Sequence, residues 1–157
     1  MMRGAKRLVV HFSLLAVAFA GLVDSLSAFP LSEQARLPEI RDAVAIDGDT
    51  LVLGRGIDDS YCAVYVRHGR TWSLQAQLRG DRAEFHGSSF GSSVDIDGDT
   101  LIVGASSETN IPGDLYAGHG AVYIFNRDGN RWTKPVRYPG GYGNLLGSEV
   151  AISGESS

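Results

Sequence analysis

The chain has 157 residues, 14 basic against 18 acidic side chains, a formal net charge of −4, one cysteine, 20 glycines and 5 prolines. The acidic balance argues against nucleic acid or an anionic lipid surface as partner, because both are bound through basic patches. A single cysteine rules out an intrachain disulfide, and abundant glycine with little proline suits short strands joined by tight turns.

Arg3, Lys6 and Arg7 make a basic start, residues 8–20 are mostly apolar, and Ala18-Phe19-Ala20 carries small residues at cleavage spacing, with a second cleavage position after Ala28. This pattern predicts a secretory signal peptide over residues 1–28 and a secreted or cell-surface protein. The alternative is an uncleaved anchor helix. His11 and Ser13 interrupt the run, which falls short of the roughly 20 apolar residues that a membrane span needs. Cleavage after Ala28 removes Arg3, Lys6, Arg7 and Asp24, leaving 11 basic and 17 acidic side chains, a net charge of −6, and no membrane span. Residues 29–39, with Pro30 and Pro38, read as an extended linker.

Residues 40–89 form a first unit. Val44-Ala45-Ile46-Asp47-Gly48-Asp49-Thr50-Leu51-Val52-Leu53 reads as a β-hairpin, Cys62-Ala63-Val64-Tyr65-Val66-Arg67 as a third strand, His68-Gly69-Arg70 as a turn, and residues 71–78 as a fourth strand. Residues 90–145 repeat the order: hairpin over residues 94–103, long loop over 106–119, third strand over 120–125, turn over 127–130 and fourth strand over 132–137. In the second hairpin a two-residue turn at Gly98-Asp99 pairs Asp97 with Thr100, Ile96 with Leu101 and Val94 with Val103. This register makes one face wholly apolar and puts glycine where a type II′ turn needs positive φ. A turn centred on Asp97-Gly98 would instead set Ile96 against Asp99. Pro135 cannot donate to a ladder, which suits an outer strand. Trp72 and Trp132 hold the same place in their units and are expected to pack between neighbouring sheets. Residues 146–157 begin the hairpin a third time, and no helix of useful length follows the signal region. Repeated four-stranded units that cannot bury their faces alone are the pattern of β-propeller blades.

Phe90-Gly91-Ser92-Ser93-Val94 with Val103-Gly104-Ala105, followed by residues 120–125 and Trp132, resembles the FG-GAP repeat of integrin α-chain heads, and more closely that of secreted bacterial proteins. The first unit is a degenerate copy, with Ile40-Arg41 in place of Phe-Gly and Gly54-Arg55 in place of Gly-Ala. The resemblance implies an all-β partial propeller of about two and a half four-stranded antiparallel blades with a binding role and no enzymatic one. Integrin repeats often hold calcium in an Asp-rich loop. Here Asp95, Asp97 and Asp99 are the weak candidates, but the tight turn is too short to wrap an ion that takes 6–8 oxygen ligands, so no cofactor is expected.

Ser92 and Ser93 recur as repeat residues, and His68, His86 and His119 fall in turns or loops without metal-site spacing, so no catalytic residues are assigned. In a propeller, the loops joining second to third strands and fourth to next-first strands emerge on one face. Binding residues tend to lie on such loops, which singles out Asp114, Tyr116 and His119, with Arg79 and Asp81 next. Arg79-Gly80-Asp81 spells a tripeptide read by some adhesion receptors, in a stretch that is otherwise simply polar. The leading expectation is an exported, non-enzymatic recognition or adhesion module for a protein or glycan ligand, expected to be a fragment of a longer protein and to self-associate through open blade edges. A structural or remnant fragment without independent binding, and an accessory propeller domain of an exported hydrolase, stay open as alternatives.

Overall fold

The computed structural model describes residues 42–57, 60–81, 87–109 and 118–154. The expected signal peptide and linker lie outside the described residues. The described chain is all-β, with strands β1 (Ala43–Asp47), β2 (Thr50–Arg55), β3 (Tyr61–His68), β4 (Thr71–Leu78), β5 (Phe90–Asp97), β6 (Thr100–Ala105), β7 (Ala121–Asp128), β8 (Arg131–Trp132) and β9 (Val136–Pro139). They form two antiparallel meanders, β1-β2-β3-β4 and β5-β6-β7-β8, with β9 also on β7. These are two propeller blades, stacked face on face. No helix among the described residues is long and apolar enough to cross a membrane.

Both hairpins take the register that leaves one face apolar: Asp97 pairs with Thr100, Ile96 with Leu101 and Val94 with Val103, and Asp47 pairs with Thr50. Gly48 and Gly98 have φ of 54° and 57°, while the second residue of each turn is not in the positive region. Positive φ at the first turn position alone is the type II′ pattern and not the type I′ one.

The alternation of each strand gives each sheet two faces, and the blades meet through opposite ones. Val52, Cys62 and Val64 of the first sheet pack against Phe90, Val94, Ile96, Leu101, Val103, Tyr123 and Phe125 of the second. Phe90 meets Tyr123 and Phe125 edge-on, with ring centroids 5.2 and 6.2 Å away. Burying each of these large apolar side chains stabilises the fold by about 1.5–3 kcal/mol. The other face of the first sheet carries Leu51, Leu53 and Ala63, with Tyr61, Tyr65 and Trp72 packed beside them. Val44 and Ile46 on β1 are 50% and 40% exposed, whereas their counterparts Val94 and Ile96 are buried.

Glycines set how closely the blades approach. The β5–β6 register shifts between Phe90 and Ser93, and Gly91 in that bulge has φ of 92°. A Cβ on Gly54 would collide with the carbonyl oxygen of Gly91, and a Cβ on Gly104 with that of Gly147. Gly147 has φ of 88° and so repeats Gly91 one unit later. The backbone of residues 147–154 lies along β5: Ser93 Oγ donates to Gly147 O at 2.7 Å, and Ile152 N–H donates to Asp95 Oδ2 at 2.8 Å. This segment takes the place of a next first strand, although no regular strand is formed over it.

Two readings of the sequence need correction. The third strands expected over residues 62–67 and 120–125 set Cys62 at the place of Gly120. Cys62 pairs with Gly54 and Val122 with Gly104, so Cys62 corresponds to Val122. The two-residue offset arises because pairing with β2 and β6 dictates the register, whatever the identity of the Ala-Val-Tyr runs. The fourth strand of the second blade is also not continuous over residues 132–137. It breaks into β8 and β9 around Pro135, the position equivalent to Gln75, where the first blade also has a bulge, so the bulge belongs to the repeat and the proline, lacking an N–H, is accommodated in it.

The Gly104 contact yields a prediction. Gly104→Ala should cost about 1–3 kcal/mol in chemical denaturation, the range of overpacking a tight contact. Ser73→Ala, on the exposed β4 edge, should stay within about 0.5 kcal/mol. Equal effects would contradict the close approach.

Candidate functional site

The ends of the blades differ. At the hairpin-turn end both repeats build the same arrangement. Arg67 Nε donates to Asp49 Oδ1 at 2.7 Å and Arg127 Nε to Asp99 Oδ1 at 2.8 Å. Each guanidinium sits over its own tryptophan, Arg67 over Trp72 at 5.6 Å and Arg127 over Trp132 at 5.1 Å from the ring centroid. Arg127 also crosses to the first blade, donating to Thr50 Oγ1 at 2.9 Å, and Trp132 Nε1 donates to Gln75 Oε1 at 3.0 Å. Trp132 thus packs between sheets as expected, and Gln75 is free to meet it because the β3–β4 register shifts between Val64 and Tyr65.

The hairpin acids are occupied by backbone and guanidinium partners. Asp47 Oδ2 accepts the Gly98 N–H at 2.7 Å, and one unit later Asp97 Oδ2 accepts the Gly154 N–H. Asp95 accepts from the amides of Ile96 and Ile152, and Asp99 pairs with Arg127. Of the three carboxylates offered as weak calcium candidates, Asp95 and Asp97 therefore tie neighbouring repeats together, while Asp99 holds Arg127 within its own blade. Among the described residues no group of three or more metal-ligating side chains converges.

The opposite end gathers the loops. Arg79 NH1 donates to Ser60 O at 3.2 Å with its guanidinium over Tyr61, and Ser107 N–H donates to Ser88 O at 3.3 Å. The second-to-third and fourth-to-first connections thus share one end. Of the residues singled out from sequence, Asp114 and Tyr116 lie outside the described residues. Arg79 and Asp81 are exposed, while Gly80 between them is buried. A Cβ on Gly80 would come 2.9 Å from Tyr123 Cζ and 3.0 Å from its hydroxyl. The Arg-Gly-Asp tripeptide is therefore packed down at its centre and is not the tip of an exposed loop. His119 also departs from its expected place on the binding surface: it is 6% exposed, with its ring edge-on to Tyr142, which is 76% exposed.

Beneath this end lies a polar cluster that the sequence reading missed. Glu108 is 1% exposed. Its Oε2 accepts the Tyr123 hydroxyl at 2.5 Å and its Oε1 accepts Arg137 Nε at 2.6 Å. Its carbonyl accepts the N–H groups of both His119 and Gly120, at 3.1 and 2.9 Å. Glu108 thereby clamps the two ends of the 106–119 loop together. Nothing in Ser106-Ser107-Glu108-Thr109 marks the glutamate as buried. The one available signal was the inward phase of Tyr123 on β7, whose hydroxyl needs a partner once buried.

Burial, reinforced by the hydrogen bond to Glu108, pushes the Tyr123 phenol far above its ordinary range. Burial pulls the Arg137 guanidinium down, but the hydrogen bond and charge of Glu108 outweigh it and its pKa is raised. Burial alone pushes the Cys62 thiol up, which leaves this core cysteine a poor nucleophile. Ser92 Oγ lies 3.3 Å from Ser106 Oγ and Ser93 Oγ donates to a backbone carbonyl, so both serines act as structural links between strands.

The tyrosine shift sets a pH dependence. A folded-state pKa above the unfolded value of about 10 favours the protonated folded form, so its contribution is present below about pH 10 and is lost as pH rises further. Ultraviolet titration should find a phenol that stays protonated after the others ionise, and Tyr123→Phe should remove it. All phenols ionising together near pH 10 in the folded protein would contradict this.

Among curated proteins, none matches the chain. The family model for the FG-GAP repeat matches residues 72–125, a stretch running from the start of β4 to Phe125 on β7. With that match on the two stacked blades, the chain carries an FG-GAP repeat over residues 72–125.

Proposed function

We propose that this β-propeller-like module is exported and works, without catalysis, in recognition or adhesion, binding a protein or glycan through the loop end of its blades. The observation that carries this reading is the contrast between the two ends. The hairpin-turn end repeats the same Asp–Arg–Trp arrangement in both blades. The loop end differs between repeats: the connection between β2 and β3 is short, while that between β6 and β7 is long and is clamped at its base by Glu108. A variable loop on a rigid scaffold is the usual way a repeat protein carries a binding surface.

In this reading Asp114 and Tyr116 contact the ligand from the long loop, Arg79 and Asp81 offer opposite charges beside it, and exposed Tyr142 extends the surface. His119 supports the loop base from within. Self-association belongs to the same proposal. Val44 and Ile46 on the first blade, and Val136 and Tyr138 on the second, are exposed apolar side chains on opposite outer faces, and such surface favours association.

The test screens the exported protein against glycan and extracellular-protein arrays. It then replaces residues 110–117 with a glycine-serine linker and separately makes Arg79→Ala with Asp81→Ala. The loop replacement should weaken any captured interaction at least about tenfold, the loss expected on removing one anchor residue. Binding unchanged by both alterations would overturn the assignment of the surface. Exported material should begin near Gly21 or Phe29, and an intact Met1 on it would overturn the export reading.

A further inference from the structure

The two loop segments of the proposed surface rest on one side chain. Gly80 packs so closely on Tyr123 that a Cβ there would press on its ring and hydroxyl. On its other side the same hydroxyl donates to Glu108 Oε2. Glu108 in turn holds the His119 and Gly120 amides through its carbonyl and Arg137 through its carboxylate. Arg137 lies on β9 and pairs directly opposite Tyr123, so the cluster is braced from the outer strand.

We infer that Glu108, Tyr123 and Arg137 form a coupling element that links the Arg79-Gly80-Asp81 segment to the base of the 106–119 loop, so that ordering either segment steadies the other. The inference rests on the loop end being the binding surface for its functional meaning: a ligand gripping one segment would find the other already arranged. Coupling between sites is reciprocal, so each segment must respond to a change made at the other. Glu108, Tyr123 and Arg137 are positioning residues here, since they lie beneath the surface and would not touch a ligand.

Hydrogen exchange on the full chain tests this without a ligand, so failure of the coupling and failure of the binding surface are separately visible. Glu108→Gln leaves residues 79–81 unaltered, yet it should speed exchange at the Gly80 amide about tenfold, within the range of measured coupling energies. Gly80→Ala should speed exchange at the His119 and Gly120 amides to a similar degree. Tyr123→Phe removes the shared hydroxyl without adding atoms. In that background Glu108→Gln should no longer alter Gly80. Amides of the Asp97–Thr100 hairpin should stay within about twofold in every variant, as expected for a distant site. If each substitution acted only on its own segment, the coupling would be refuted. It would also be refuted if the hairpin amides accelerated equally, since the effect would then be a general loss of stability. Should Gly80→Ala not fold, Glu108→Gln with and without Tyr123→Phe decides the matter alone.

Discussion

The approach of one backbone onto another, where the Gly91 carbonyl lies against Gly54, governs the rest of the structure. No side chain fits between them. Gly91 reaches this position only because the bulge after Phe90 gives it positive φ, a conformation that costs glycine little. The close approach brings the two faces into van der Waals contact, and the buried interlayer of Val52, Cys62, Val64, Leu101, Val103, Tyr123 and Phe125 follows. At the hairpin-turn end the Asp47 carboxylate accepts the Gly98 N–H, so the two blades are tied at both ends. Gly104 with Gly147, and Asp97 with Gly154, repeat both devices one unit on. Within a blade Phe90 pairs with Ala105, whereas the glycines of the two motifs make their close contacts between successive blades.

Local pattern accounts for what was legible in the sequence. Val94, Ile96, Leu101 and Val103 could be phased against one another because a one-residue slip would turn the whole apolar set to solvent. Gly98 then had a single place where its positive φ was useful. The first blade, though degenerate, kept the same alternation, and its hairpin took the same register.

Long-range contacts explain what was not legible. The Ala-Val-Tyr runs of β3 and β7 look equivalent, yet Tyr65 pairs with Leu51 and Tyr123 with Val103, positions two residues apart in the repeat. Only the neighbouring strand decides between them. Gly80 read as part of a polar stretch because its burial depends on Tyr123, more than 40 residues later. Nothing in the sequence singled out Glu108 for the same reason: Arg137 and Tyr123 come from the far side of a long loop. Charged and polar residues are ordinarily exposed, so a sequence reading assigns them to the surface until the fold supplies partners.

Repetition and variation are consequently divided between the two ends of the blades. Repeated ion pairs and stacked guanidinium groups fill the hairpin-turn end, where the repeats are alike. The loop end is held from below by one buried cluster and is free to differ above it. The central claim, that the blades are one cooperative unit joined through the glycine contact, is tested most directly by native-state hydrogen exchange on Gly54→Ala. The account predicts that the ladder amides of β2–β3 and of β6–β7 lose protection together and by the same free energy, although the substitution lies in the first blade alone. Loss confined to β2–β3, with β6–β7 unchanged, would contradict it.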